Sequence, residues 1–164
     1  MARWTKAQAA GFFDKTTQQK KGKPVVVVAR KYHCMIGIDP GTNTGIAIKC
    51  DGNIILIETV TIIEAINLVK EYVEYHGANN VKVRIEDARL RKFFAETGPE
   101  KWKGAGSIKR DCVIWETEME RCKINYEMVH PMHVKATDKK TFQALTGISK
   151  RTSIHAREAA WMII

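Results

Sequence analysis

Apolar and polar positions change rhythm several times along this chain. An apolar run, Met35-Ile36-Gly37-Ile38, ends on Asp39, and a second, Gly45-Ile46-Ala47-Ile48, follows Pro40-Gly41-Thr42-Asn43-Thr44. Pro, Gly and Asn supply turn chemistry, so the pattern predicts a strand over about 34–39, a tight turn, and a strand over about 45–49. Asp51-Gly52-Asn53 is a hairpin signal leading into a third strand over about 54–60. Thr61-x-x-Glu64 reads as a capping box, and Ile62, Ile66, Val69 and Val73 recur at helical spacing, with Ala65 and Tyr72 beside them. Gly77 stops that helix. Val81-Lys82-Val83-Arg84-Ile85-Glu86 alternates as a fourth strand.

A polar, basic stretch follows over 87–106, containing Phe93, Phe94 and Trp102. A second helix over about 107–122 carries Ile108, Cys112, Trp115, Met119 and Cys122 at steps of 4, 3, 4 and 3. That stripe suits packing on a sheet or on a partner helix. A fifth strand over about 125–130, a loop with a short helical turn over 131–147 and a last helix over about 152–164 complete the order βββαβαβα. Three consecutive strands followed by α-β alternation imply an α/β fold: a five-stranded mixed sheet with flanking helices.

Charge divides the chain. The net charge is +9; residues 1–33 hold eight Lys or Arg and one acid, so +7 belongs to an N-terminal arm and +2 to residues 34–164. Phosphate contact and a solvated tail both suit such an arm. Within it, Val25–Val28 is a β-branched run that is expected to be covered, as an extra strand or a lead-in to the first. No apolar stretch approaches the ~20 residues of a membrane span, so no membrane role is expected. Cys34, Cys50, Cys112 and Cys122 are scattered without a C-x-x-C pair, which favours reduced thiols in a cytosolic compartment. A mitochondrial presequence is disfavoured by the Lys-rich, Ser-poor arm.

The candidate chemistry is acidic. Asp39 and Glu86 each end a strand, and they converge if those strands are neighbours. His155 and Glu158 lie three apart on a helix and share a face. Each has an ordinary use: Asp before Pro-Gly starts turns, Glu86 suits a pair with Arg84 or Arg89, His155 suits a half-buried core position and Glu158 a solvated face. Together they form an oxygen-rich donor set with one imidazole, which favours Mg²⁺ or Mn²⁺ over zinc. Two such ions roughly 3.5–4 Å apart suit in-line attack of water on a phosphodiester. His130 and His133 have ligand-like spacing but lie in a loop without a third ligand nearby.

The segment Ile36 to Gly45, then Ile85-Glu86, then His155-Ala156-Arg157-Glu158-Ala159-Ala160 resembles the RuvC-like Holliday junction resolvases, across about residues 34–164. The resemblance implies an RNase H-like nuclease domain over 34–164. It implies catalytic and metal roles for Asp39, Glu86, His155 and Glu158, with two Mg²⁺ (or Mn²⁺) ions. It implies a homodimer that nicks four-way branched DNA, in the cytoplasm of a bacterial or phage-infected cell. Glu158 departs from the family's usual aspartate by one methylene, and the basic arm is a second departure. The family's wedge aromatic falls where this chain has Arg89, and Phe93 and Phe94 are the nearest rings. Lys109, Arg110, Lys139 and Lys140 are candidate phosphate contacts, as is Lys135, and Trp115 or Met119 is the expected helix contribution to a dimer. Two rivals stand beside this reading. One is a catalytically weak or silent DNA-binding protein on the same fold. The other is an actin- or sugar-kinase-type nucleotide binder, for which the chain is too short and lacks a second phosphate loop.

Overall fold

A computed structural model describes residues 32–90, 106–131 and 138–164 in full, and the backbone alone of 16–17, 26–27 and 99–105. The elements are β1 (Cys34–Asp39), β2 (Thr44–Cys50), β3 (Asn53–Val60), α1 (Ile62–His76), β4 (Val81–Glu86), α2 (Pro99–Arg121), β5 (Tyr126–Val129), α3 (Lys139–Thr146) and α4 (Ile154–Trp161). The sheet order is β3-β2-β1-β4-β5, with β1 to β3 antiparallel in sequence and β4 and β5 parallel to β1. With helices on both faces, this is the five-stranded mixed sheet with flanking helices that the pattern predicts. Thr16–Thr17 pairs with Val26–Val27 as a separate two-residue ladder, while the rest of residues 1–31 lies outside the described residues.

Local signals explain most of these boundaries. Asp51 at φ +50° and Gly52 at φ +83° turn the β2–β3 hairpin through the left-handed region. Thr61 and Glu64 complete the capping box of α1. Asp138 caps α3 by accepting from the Lys140 and Thr141 amides. The α2 helix starts at Pro99, earlier than the pattern predicts. Proline suits a first helical position, and Gly104-Ala105-Gly106, which reads as loop, is carried inside the helix. Glycine weakens a helix by only ~1 kcal/mol, which neighbouring structure overrides.

Strand alternation sorts the sheet into two faces. One face carries Cys34, Ile36, Ile38, Ile46, Ile48, Val81, Val83 and Ile85, packed under α1 and α2. Trp115 and Met119 of α2 are fully buried there, so the expectation that they face a partner subunit is corrected: the stripe packs on its own sheet. The opposite face meets α3 and α4 through Ala47, Ile57, Val129 and Phe142, with Ala156, Ala159 and Ala160. The odd-numbered residues of β1 and β2 point this way, and two of them are glycines. A Cβ on Gly37 would collide with the Ala159 carbonyl, and one on Gly45 with the His155 carbonyl. The α4 backbone therefore lies directly on β1 and β2, with no side-chain layer between.

The cysteine expectation is also corrected. Cys34 and Cys50 are register partners across β1 and β2, with Cα atoms 4.2 Å apart, and they form a disulfide. Linear spacing does not reveal such a pair, because sheet register and not sequence proximity brings it together.

Two alanine substitutions test the seam. Gly37→Ala is expected to lower stability by ~1–3 kcal/mol, because helix backbone cannot move aside cheaply. Gly106→Ala, where a Cβ meets nothing within 4 Å, is expected to raise it by up to ~1 kcal/mol. Urea unfolding of both variants checks the opposite signs.

Candidate active site

Sheet register explains how the acids meet. Ile38 of β1 pairs in parallel with Ile85 of β4, so Asp39 and Glu86 follow side by side at the carboxyl ends of adjacent strands. Alternation turns both toward the face that α4 covers. Both are buried, at 7% and 3% exposure. Arg84 reaches the Met162 carbonyl at 2.7 Å and Glu127 at 3.5 Å, and Arg89 binds Asp87.

The α4 helix supplies the remaining groups. Ser153 caps it by accepting from the Ala156 amide at 3.0 Å, and the Ser153 hydroxyl meets Thr59 Oγ1 of β3. Cap and glycine seam together fix the first turn. His155 Nδ1 then lies 2.7 Å from Asp39 Oδ2, and donor atoms of Asp39, His155 and Glu158 all fall within 4.8 Å of one another. His155 is half exposed at the mouth, while Asp39 is deep. So the structure brings together all four residues singled out in the sequence, three as a tight donor cluster and Glu86 alongside.

Electrostatics fits a cation. Burial pushes the Asp39 carboxyl up from 3.8 to about 7, against the hydrogen bond from His155, and the nearby Glu86 and Glu158 charges add to the rise. A buried carboxylate beside two others is costly to ionise without a positive partner. Oxygen donors with one imidazole are the chemistry that Mg²⁺ or Mn²⁺ takes.

Other expected contacts are placed as follows. Arg89, expected on DNA, instead forks onto Asp87 with Nε–Oδ1 2.7 Å and Nη2–Oδ2 2.8 Å, and reaches Glu116 of α2 at 2.6 Å. Those bonds hold the Asp87 carboxyl below the usual carboxylate range. Arg89 thus ties the exit of β4 to α2, because a buried aspartate two residues away is the nearer anion. Lys109, Arg110, Lys139 and Lys140 are exposed. Phe93, Phe94, His133 and Lys135 lie outside the described residues, as does the side chain of Trp102.

Sequence reading missed Asp87 and Asp111, both buried acids. The Glu86-Asp87 dyad at a strand end, with Arg89 two residues on, was the available signal for the first. Cys112 of the α2 stripe is buried, with its thiol 3.6 Å from the Glu86 carbonyl, and packs α2 behind the site.

Comparison with protein-family models finds no match, and neither does comparison with curated protein sequences. Among solved structures, the chain is similar to T. thermophilus RuvC in complex with Holliday junction substrate, at 18% identity and a TM-score of 0.46, covering 78% of this chain and 89% of that one. The chemistry of this site rests on its own residues.

The raised Asp39 value has a stability consequence. The folded carboxyl holds its proton up to about pH 7, whereas the unfolded one loses it near 3.8. Between those values the folded state binds more protons, so this contribution to stability falls as pH rises and is lost above 7. Asp39→Asn is therefore expected to raise the melting temperature of the metal-free protein at pH 8 and to leave it nearly unchanged at pH 4. Calorimetry in chelator at both pH values checks this.

Proposed function

We propose that this chain is a divalent-metal-dependent endonuclease of the RuvC-like resolvase type, acting as a homodimer that nicks four-way DNA junctions. The observation that carries the proposal is the convergence of Asp39 and Glu86, at neighbouring strand ends, on His155 and Glu158 of α4. The order and spacing of these residues in the sequence support the same reading.

Asp39, Glu86, His155 and Glu158 are the residues that would hold Mg²⁺ or Mn²⁺. Bound metal supplies an activated water and neutralises charge on the scissile phosphate. Asp39 and Glu86 are fixed by the sheet, which preorganises their oxygens. His155 Nδ1 lies 2.7 Å from Asp39 Oδ2; the raised Asp39 carboxyl must lose its proton to bind a metal, so metal affinity rises with pH. The longer Glu158 reaches the cluster from the second turn of α4. Exposed Lys109, Arg110, Lys139 and Lys140 suit phosphate contacts, which position DNA without reading sequence. Phe93 and Phe94 are proposed as the apolar wedge at the junction centre. With Trp115 and Met119 buried, the dimer face on α2 is its outer side, where Val113 and Ile114 are exposed.

A labelled synthetic four-way junction tests the reading. With Mg²⁺ or Mn²⁺, wild-type protein is expected to give paired nicks, and light scattering a dimeric mass. Asp39→Asn is expected to lower the cleavage rate by ~10³-fold or more while junction binding persists, since a lost metal carboxylate costs several kcal/mol of barrier. Binding without cleavage by the wild type, in either metal, would establish the silent DNA-binding reading instead.

The basic arm is proposed to contact duplex phosphates. Each neutralised phosphate contributes roughly −0.9 to the slope of log affinity against log salt. Deleting residues 1–30 is expected to flatten that slope and weaken binding to junction and plain duplex alike. An unchanged slope in a filter-binding titration would show a passive tail.

A further inference from the structure

The pole of the sheet opposite the acidic cluster carries a second group of ligand-type side chains. His33 precedes β1, Cys34 opens it, Cys50 closes β2, and His76 ends α1. Donor atoms of His33, Cys34 and His76 lie within 4.8 Å of one another. The His33 and His76 rings are 4.8 Å apart between centroids. The Cys34–Cys50 bond brings the Cys50 sulfur to the same point. Two sulfurs and two imidazoles therefore converge from three places in the chain. Cys34 and Cys50 are buried, on the face covered by α1 and α2. Asp39 and Glu86 point to the other face.

We propose that His33, Cys34, Cys50 and His76 form a zinc-binding site in the reduced protein, with the Cys34–Cys50 disulfide as its metal-free, oxidised alternative. Two thiolates and two imidazoles are a tetrahedral zinc donor set, whereas the carboxylate cluster suits harder ions. Ligand atoms around one zinc sit roughly 3.3–3.8 Å apart, given Zn–S near 2.3 Å and Zn–N near 2.0 Å. To close on a metal, the donor atoms of His33, Cys34 and His76 would draw in by up to about 1 Å, and the two bonded sulfurs would separate once reduced. Asp51 Oδ1 meets His33 Nδ1 at 2.7 Å, the carboxylate–imidazole pairing that orients a metal-bound histidine through its other nitrogen. This carboxylate has no role in the proposed nuclease chemistry.

The interconversion balances. A phosphine attacks one sulfur and breaks the Cys34–Cys50 bond; water then takes the phosphorus, its oxygen leaving in the phosphine oxide and its two protons completing the two thiols. A dithiol instead exchanges with the bond, gives both hydrogens to the protein thiols and leaves as its own disulfide. Zinc then takes both sulfurs as thiolates, and two protons return to solvent. The site would clamp the end of α1 onto the β1–β2 hairpin, without the covalent bond that the oxidised state uses.

The probe is metal alone, added to full-length protein reduced with a phosphine and desalted without air. One equivalent of Co²⁺ is expected to give thiolate-to-cobalt charge transfer with tetrahedral d–d absorption, and Zn²⁺ to bleach both. The Cys112→Ser/Cys122→Ser double variant is expected to retain the spectrum, and Cys50→Ser to lose about half of the charge-transfer intensity. His76→Asn is expected to weaken zinc affinity by over ~100-fold. Asp51→Asn, which tolerates the same left-handed turn, is expected to weaken it by ~10–100-fold. Circular dichroism of each variant keeps loss of fold apart from loss of ligand. The Asp39→Asn background removes the carboxylate cluster as a competing site, and the spectrum is expected to persist there. Absence of charge transfer in folded, reduced wild type would overturn the proposal, as would zinc affinity unchanged in both His76→Asn and Asp51→Asn. The assay reads no nuclease activity, so it stands or falls apart from the proposed function.

Discussion

The contact on which the candidate active site depends is backbone against backbone: the first turns of α4 lie on β1 and β2. Most helices meet a sheet through two layers of side chains, which leaves rotamer freedom between the parts. Here Gly37 and Gly45 have no side chain to interpose, and Ala156, Ala159 and Ala160 present the smallest possible surface from the helix. Close packing of this kind is stiff, because main chain cannot rotate out of the way. It fixes the height of α4 over Asp39, and with it the 2.7 Å contact to His155. The Ser153 cap and its bond to Thr59 fix the remaining freedom along the helix axis.

That rigidity holds together groups that repel. Asp39, Glu86 and Glu158 crowd a buried edge, where burial first and the neighbouring charges second push the Asp39 carboxyl up to about 7. Nothing in folding alone rewards such a grouping: a polar residue buried near like charges destabilises the fold. The apolar core on the other face, with Trp115 and Met119 sealed under α2, stabilises the sheet independently and lets it carry the acidic edge. This division of labour between faces follows from strand alternation, since every second residue of β1 and β4 goes to the core and every other one to the site.

How much was legible in the sequence follows the range of each interaction. The succession of elements along the chain, the capping box at Thr61 and Glu64 and the Asp51-Gly52 turn are local, and local signals carry them. The pairing of Asp39 with Glu86 was legible as a conditional, because both end strands and only the neighbour relation was missing. The Cys34–Cys50 bond depends on the β1–β2 register, and the Arg89 fork depends on Asp87 being the nearest buried anion. Neither leaves a periodic mark. The stripe on α2 was read correctly as a face but ambiguously as to its partner, since sheet and helix partners ask for the same spacing. Pro99 and the internal Gly104 and Gly106 mark a helix start only when tertiary packing is allowed to outweigh propensity.

The same alternation that sorts the faces also separates the two ligand clusters. Cys34 and Asp39 are the first and last residues of β1, about 17 Å apart at ~3.3 Å per residue. An even step along a strand keeps the face and an odd step changes it, so five steps carry Asp39 to the face opposite Cys34. Soft donors therefore gather under the end of α1, and hard donors under the start of α4. A thiolate near the acidic edge would invite the wrong ion into an oxygen site, and a carboxylate cluster near the sulfurs would blunt their selectivity. One strand keeps the two chemistries apart by length and by parity, and no barrier between them is required.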